Sequence, residues 1–191
     1  MPPPATKPQR RSQLQSPPEV FELEISAQSE AGRSLIPYLR GHLRAAYSHL
    51  KNPPHELSIS LVGDATMSRL HATHLKFAGP TDVLTFEIDH DSRRRVISGE
   101  VIICLPQARR QAKSTATSDL KREVLLLALH GLLHLSGFDD KTPGGFAQMH
   151  NAEDRILSTL GVGPVFEAGR GLQSAKAPQK ASTPRSAGVR R

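Results

Sequence analysis

The stretch Leu120–Leu135 (LKREVLLLALHGLLHL) constrains this chain more than any other. It is apolar on nearly every side at helical period, and a helix of that kind has to be surrounded. It is also too short to span a bilayer, so its cover must come from protein. The expectation is a central buried helix, capped by Ser118 or Asp119 and stopped by Gly137.

Material to surround it lies on both sides. Val20–Ile25 (VFELEI), Leu57–Val62 (LSISLV), Asp82–Ile88 (DVLTFEI) and Val96–Cys104 read as strands, with Gly99 marking a bulge or a close approach. Glu30–Leu50 runs at helical period, and Pro37 places the start of its regular part just before that proline. Asp64 caps a further helix with Met67, Leu70 and His74 on its buried side. Pro106 suits the first turn of a helix over Leu105–Ser114, and a last helix follows Pro143-Gly144-Gly145 with Met149, Ile156, Leu157 and Leu160 inward. Strands mixed with helices, without strict alternation, predict an α+β domain: a four-stranded mixed sheet packed with about five helices, the central buried one among them.

The ends differ in character. Residues 1–18 are proline-rich and polar, and residues 167–191 are small, polar and basic, so both are predicted to be disordered tails flanking one domain over residues 19–166. The net charge of +7 also divides there. Lys7, Arg10 and Arg11 give the first tail +3; Arg170, Lys176, Lys180, Arg185, Arg190 and Arg191 against Glu167 give the second +5. The domain between is left with one net negative charge. Basic tails suit a polyanion such as nucleic acid, or serve only to keep the protein soluble. Two tyrosines and no tryptophan count against a base-stacking platform for single strands. Cys104 is the sole cysteine and ends an apolar strand, which fits a buried inert thiol in a reducing cytoplasm. No secretory or membrane segment is apparent.

The chemistry sits on the central helix. His130 and His134 are four residues apart, so their imidazoles leave one face a turn apart and make a pair of zinc ligands. The chain continues Leu-Ser-Gly-Phe-Asp-Asp. Gly137 permits a reversal that can return Asp139 or Asp140 to the same point. The spacing H-x3-H-x2-G-x2-D is that of the metzincin zinc sites with an aspartate in place of the third histidine, and three ligands leave a position for water. His130, His134 and Asp140 are therefore the expected ligands of one Zn2+ or another divalent transition metal, with Asp139 and, from the last helix, His150 as rival third ligands. Zinc peptidases read H-E-x-x-H and use the glutamate as base; here that position is Gly131, which cannot move a proton. His71 and His74 lie three apart on a helix with nothing nearby to complete a ligand set, and Arg93-Arg94-Arg95 forms a charged turn that could meet phosphates.

Three blocks in order resemble the YbeY family of bacterial metal-dependent endoribonucleases. His130 through Asp139 is similar to its H-G-x-L-H-L-x-G-Y-D-H, Pro80 through Phe86 to its P-T-[DN]-V-L-S-F, and Gly99 through Cys104 to its G-D-[LIV]-V-I-[CS]. Met149, Glu153, Ile156 and Leu157 fall where the family's closing helix has such residues, so the resemblance runs from roughly Val20 to Gly161. It implies a zincin-like metal site and a single-strand-specific, zinc-dependent endoribonuclease acting in ribosomal RNA maturation and ribosome quality control in the cytoplasm. The implied partners are ribosomal RNA, its precursors and ribosomal subunits. Two departures stand out. Asp140 occupies the slot of the family's third histidine, and Leu75 that of an arginine implicated in cleavage, which leaves Lys76 as the neighbouring candidate for that charge. The rivals to this reading are a zinc metallopeptidase and a non-catalytic ribosome-assembly factor with a structural zinc.

Overall fold

A computed structural model describes residues 21–75, 81–112 and 117–164. The strands β1 (Glu22–Ala27), β2 (Glu56–Val62), β3 (Val83–His90) and β4 (Val96–Cys104) form one mixed sheet in the order β1-β2-β4-β3. β1, β2 and β4 run parallel, and β3 lies antiparallel on β4. The helices are a single turn α1 (Glu30–Arg33), α2 (Ile36–Tyr47), α3 (Asp64–Leu75), α4 (Leu105–Gln111), α5 (Thr117–Leu135) and α6 (Pro143–Thr159). Apart from that single turn the helices among the described residues number five, and the α+β expectation matches the architecture.

Alternation along β4 explains the layering. Val101 and Ile103 join the main core with Leu39 and Leu43 of α2, Leu129 and Leu133 of α5, and Ile156 and Leu157 of α6. The alternate residues Ile102 and Cys104 join a smaller cluster with Met67 of α3 and Leu84 of β3. So α5 and α3 lie on opposite faces of the sheet. α5 carries the apolar surface its sequence demanded: from Val124 to Leu133 only His130 is more than slightly exposed.

Two glycines set how closely α5 meets the sheet. A β-carbon on Gly131 would come within 2.6 Å of Val101 Cγ2 and 2.9 Å of Thr85 Oγ1, and one on Gly99 within 2.6 Å of Leu135 Cδ1. Gly99 is thus a close approach, and the irregularity sits opposite it, where the pairing of β3 with β4 slips between Glu87 and Asp89.

Several boundaries differ from expectation. The predicted helix Glu30–Leu50 is divided: α2 starts just before Pro37 as expected, where the missing N–H costs nothing, but the residues ahead of it form a separate turn, α1, capped by the Ser29 hydroxyl. α6 begins at Pro143 rather than after Gly145, because the Thr142 side chain accepts from Gly145 N at 3.0 Å and caps it one residue earlier. Leu160 falls just past α6, half-buried. Ser118 and Asp119, the two expected caps, fall inside α5. His74 is not buried in α3; its ring meets Phe86 edge-on at 4.9 Å.

Candidate metal centre

The geometry begins with the way α5 ends. Gly137 has φ +94°, the left-handed conformation that glycine adopts at least cost. Phe138 N donates to Leu133 O and Gly137 N to His134 O, the paired bonds of a Schellman ending. The chain reverses there, the Phe138 carbonyl comes back over His134, and Asp140 follows it to the face bearing both histidines. Gly145 is needed for the return: a β-carbon there would collide with the Asp139 carbonyl.

His130 Nε2 and His134 Nε2 lie 3.1 Å apart. Asp140 completes the triangle, with Oδ2 at 3.9 Å from His130 Nε2 and Oδ1 at 3.8 Å from His134 Nε2. The group could hold a metal ion. Donors about 2.0–2.1 Å from a tetrahedral zinc stand about 3.3–3.4 Å from one another, so nitrogens 3.1 Å apart, each with an Asp140 oxygen at 3.8 or 3.9 Å, need only modest adjustment to share one ion.

Protonation makes the stronger argument. His134 Nδ1 is 3.1 Å from the Phe138 carbonyl, which can only accept, so Nδ1 carries the proton. His130 Nδ1 is 2.8 Å from Glu153 Oε1. Burial pushes the Glu153 pKa up, but hydrogen bonds from His130 and His150 outweigh it and hold the group below its ordinary range, so it is a carboxylate and accepts. In the neutral form of each ring the remaining lone pair, on Nε2, therefore points at the same spot. Only a cation or an added proton relieves that arrangement. The field agrees: burial lowers the His130 pKa, yet the Glu153 hydrogen bond, the Glu153 charge and then Asp140 and Asp82 raise it above the ordinary value. Two carboxylates beside two neutral imidazoles also match the charge of one divalent ion.

The other candidates separate. Asp139 Oδ1 lies 3.3 Å from Lys141 N, and of the two aspartates it is Asp140 that faces both histidines. His150 approaches from α6 but directs Nδ1 to Glu153 Oε2 at 2.6 Å, its ring 6.3 Å from that of His130. His71 and His74 belong to α3, across the sheet. In the arginine turn, Asp91 accepts from Arg93 N and Arg95 N, while Arg95 pairs with Asp91 at 2.6 Å. Arg94 adopts φ 60° there. Lys76 lies outside the described residues, and of Leu75 only the backbone, closing α3, is described. The residue whose part spacing alone did not reveal is Glu153. Its signal was a glutamate among the apolar positions of an amphipathic helix, four after Met149 and three before Ile156.

Comparison with known proteins places these features in a family. The profile described as Endoribonuclease YbeY matches residues 25–161. A protein of that name from Beutenbergia cavernae is 34% identical over 153 residues, covering 76% of this chain and 93% of the relative. Another from Moorella thermoacetica is 37% identical over 116 residues, 56% of this chain and 74% of the relative. For a third, from Frankia alni, 36% identity extends over 56% of this chain and 65% of the relative's length. The solution structure of a Thermotoga maritima protein aligns with a TM-score of 0.49 at 21% identity, covering 79% of this chain and 99% of that one.

Proposed function

This chain belongs to the Endoribonuclease YbeY family, and on that footing we propose that it is a zinc-dependent endoribonuclease cutting single-stranded segments of ribosomal RNA precursors. The proposed ligands are His130, His134 and Asp140. One observation carries this reading: two imidazole nitrogens 3.1 Å apart, turned toward one another because a hydrogen-bond partner holds the other nitrogen of each ring.

A bound divalent ion supplies Lewis acidity toward a phosphodiester oxygen and toward water. The chain's own residues do the rest. Glu153 and the Phe138 carbonyl aim the two histidines, and Asp140 offsets the charge while leaving the outer side of the group open. The side chains of His130, His134 and Asp140 are 20%, 28% and 34% exposed, so a polymer can reach them. Lys76, in the family's cleavage loop, is the proposed source of positive charge for the developing phosphorane. The basic tails add sequence-independent affinity for RNA on ribosomal subunits, and the proposed site of action is the cytoplasm. Among the described residues no helix is long and apolar enough to cross a membrane.

The peptidase reading fails on packing. The glutamate of H-E-x-x-H has no room at Gly131, where even one carbon meets Val101. A structural zinc is disfavoured because the candidate group among the described residues has three members and is open to solvent. The test is single-turnover cleavage of a labelled ribosomal RNA precursor fragment by the full chain, before and after chelation and after Zn2+ is restored. Cleavage that disappears and returns supports the reading. A protein that binds zinc and RNA without cutting would hand the case to the assembly factor.

A further inference from the structure

Among the described residues Glu123 and Glu153 are the charged side chains of the interior, and Glu153 is fully buried. A carboxylate in such a place is costly unless its oxygens are satisfied. Both are: Oε1 meets His130 Nδ1 at 2.8 Å and Oε2 meets His150 Nδ1 at 2.6 Å. The two histidines are held differently. His134 is oriented by its own chain four residues on, whereas His130 is oriented by a side chain from α6, beyond the loop that carries Asp140. Without that partner the His130 ring could rotate about its last torsion or take the other tautomer, and either change removes Nε2 from the triangle. His150 prevents Glu153 from swinging aside, and the edge of Phe146 backs His150 with ring centroids 4.1 Å apart.

We propose that Glu153 is a positioning residue for the metal centre, fixing His130 with Nε2 toward the ion, and that His150 acts through Glu153 as its anchor. The inference rests on the proposed metal reading and adds a dependence on α6. Ligand histidines aimed by a carboxylate through the second nitrogen typically lose about 10- to 100-fold in metal affinity when the carboxylate is removed. A glutamine offers one acceptor where Glu153 offers two, so Glu153→Gln satisfies only one of the two Nδ1–H groups.

The experiment measures Zn2+ affinity of the full chain by competition with a chromophoric chelator, and the visible absorption of the Co2+-loaded protein, for wild type, Glu153→Gln, His150→Phe and the double variant. Thermal melts of the metal-free forms report folding. Glu153→Gln is expected to weaken Zn2+ by about 10- to 100-fold and alter the Co2+ bands, and His150→Phe to do the same by a smaller factor. The double variant should be no weaker than Glu153→Gln alone, because both act by one route. Should Glu153→Gln fail to fold, His150→Phe decides. Wild-type affinity and an unchanged Co2+ spectrum in the folded variants would overturn this inference alone. A wild-type chain that binds neither metal would overturn the metal reading beneath it.

Discussion

Gly131→Ala puts packing and intrinsic helix preference in direct opposition. In an exposed helix the change stabilises by about 0.8–1 kcal/mol. Here the added carbon would lie 2.6 and 2.8 Å from the two Val101 methyls and 2.9 Å from Thr85 Oγ1, on two neighbouring strands. Val101 is fully buried and branched at Cβ, so it has no rotamer to escape into. Overpacking of a core costs about 1–3 kcal/mol, and the upper half of that range applies where the obstacle is rigid. The difference is a net loss of about 1–2 kcal/mol. Urea unfolding of the metal-free protein should show a lower midpoint with an unchanged slope. The same displacement lifts the turn carrying His130 away from Asp140, so Zn2+ affinity should fall with stability. A variant about 1 kcal/mol more stable than wild type would refute the argument, since propensity alone would then have decided.

Further outcomes follow from other parts of the fold. Burial pushes the Cys104 thiol up to about 11; the backbone hydrogen bond from Gln107 and the Arg110 charge pull the other way, and the neighbouring Asp64 adds to the rise, so at pH 8 about one thiol in a thousand is ionised; a thiol-disulfide reagent should react with native protein far more slowly than with urea-unfolded protein. Asp140→Ala should abolish stoichiometric zinc binding and Asp139→Ala should spare it, as read by metal analysis after dialysis. Lys76→Ala should slow single-turnover RNA cleavage by a few hundredfold, a loss of about 3–4 kcal/mol, and Leu75→Arg should recover part of it; normal cleavage by Lys76→Ala would place the charge elsewhere. A chain cut to residues 19–166 should melt cooperatively near the full-length temperature, while its RNA binding shows a flatter salt dependence.

What could be read from the sequence follows the range of the forces involved. The central helix and the four strands were legible because burial imposes a local period of 3.6 or 2. Gly137 foretold the reversal, since a helix ending needs a residue that tolerates positive φ, and that ending is what brings Asp140 back. In Glu30–Leu50 Pro37 marked where the regular helix starts, but period alone could not show that Ser29 caps a separate turn ahead of it. Gly131 was recognised as unable to move a proton, but its packing role depends on Val101, thirty residues away in another element. Glu153 shows the same boundary. A glutamate at a buried helical position announces that it has partners, yet the identity of those partners depends on how α6 docks against α5, which no local pattern specifies.

The central claim is that His130 and His134 hold one metal ion. The most direct measurement is elemental analysis of extensively dialysed full-length protein beside the His130→Ala, His134→Ala double variant. The account predicts one zinc per wild-type chain, none in the double variant, and a deficit in the variant's melting temperature that widens when metal is present. Stoichiometric metal retained by the double variant would contradict it.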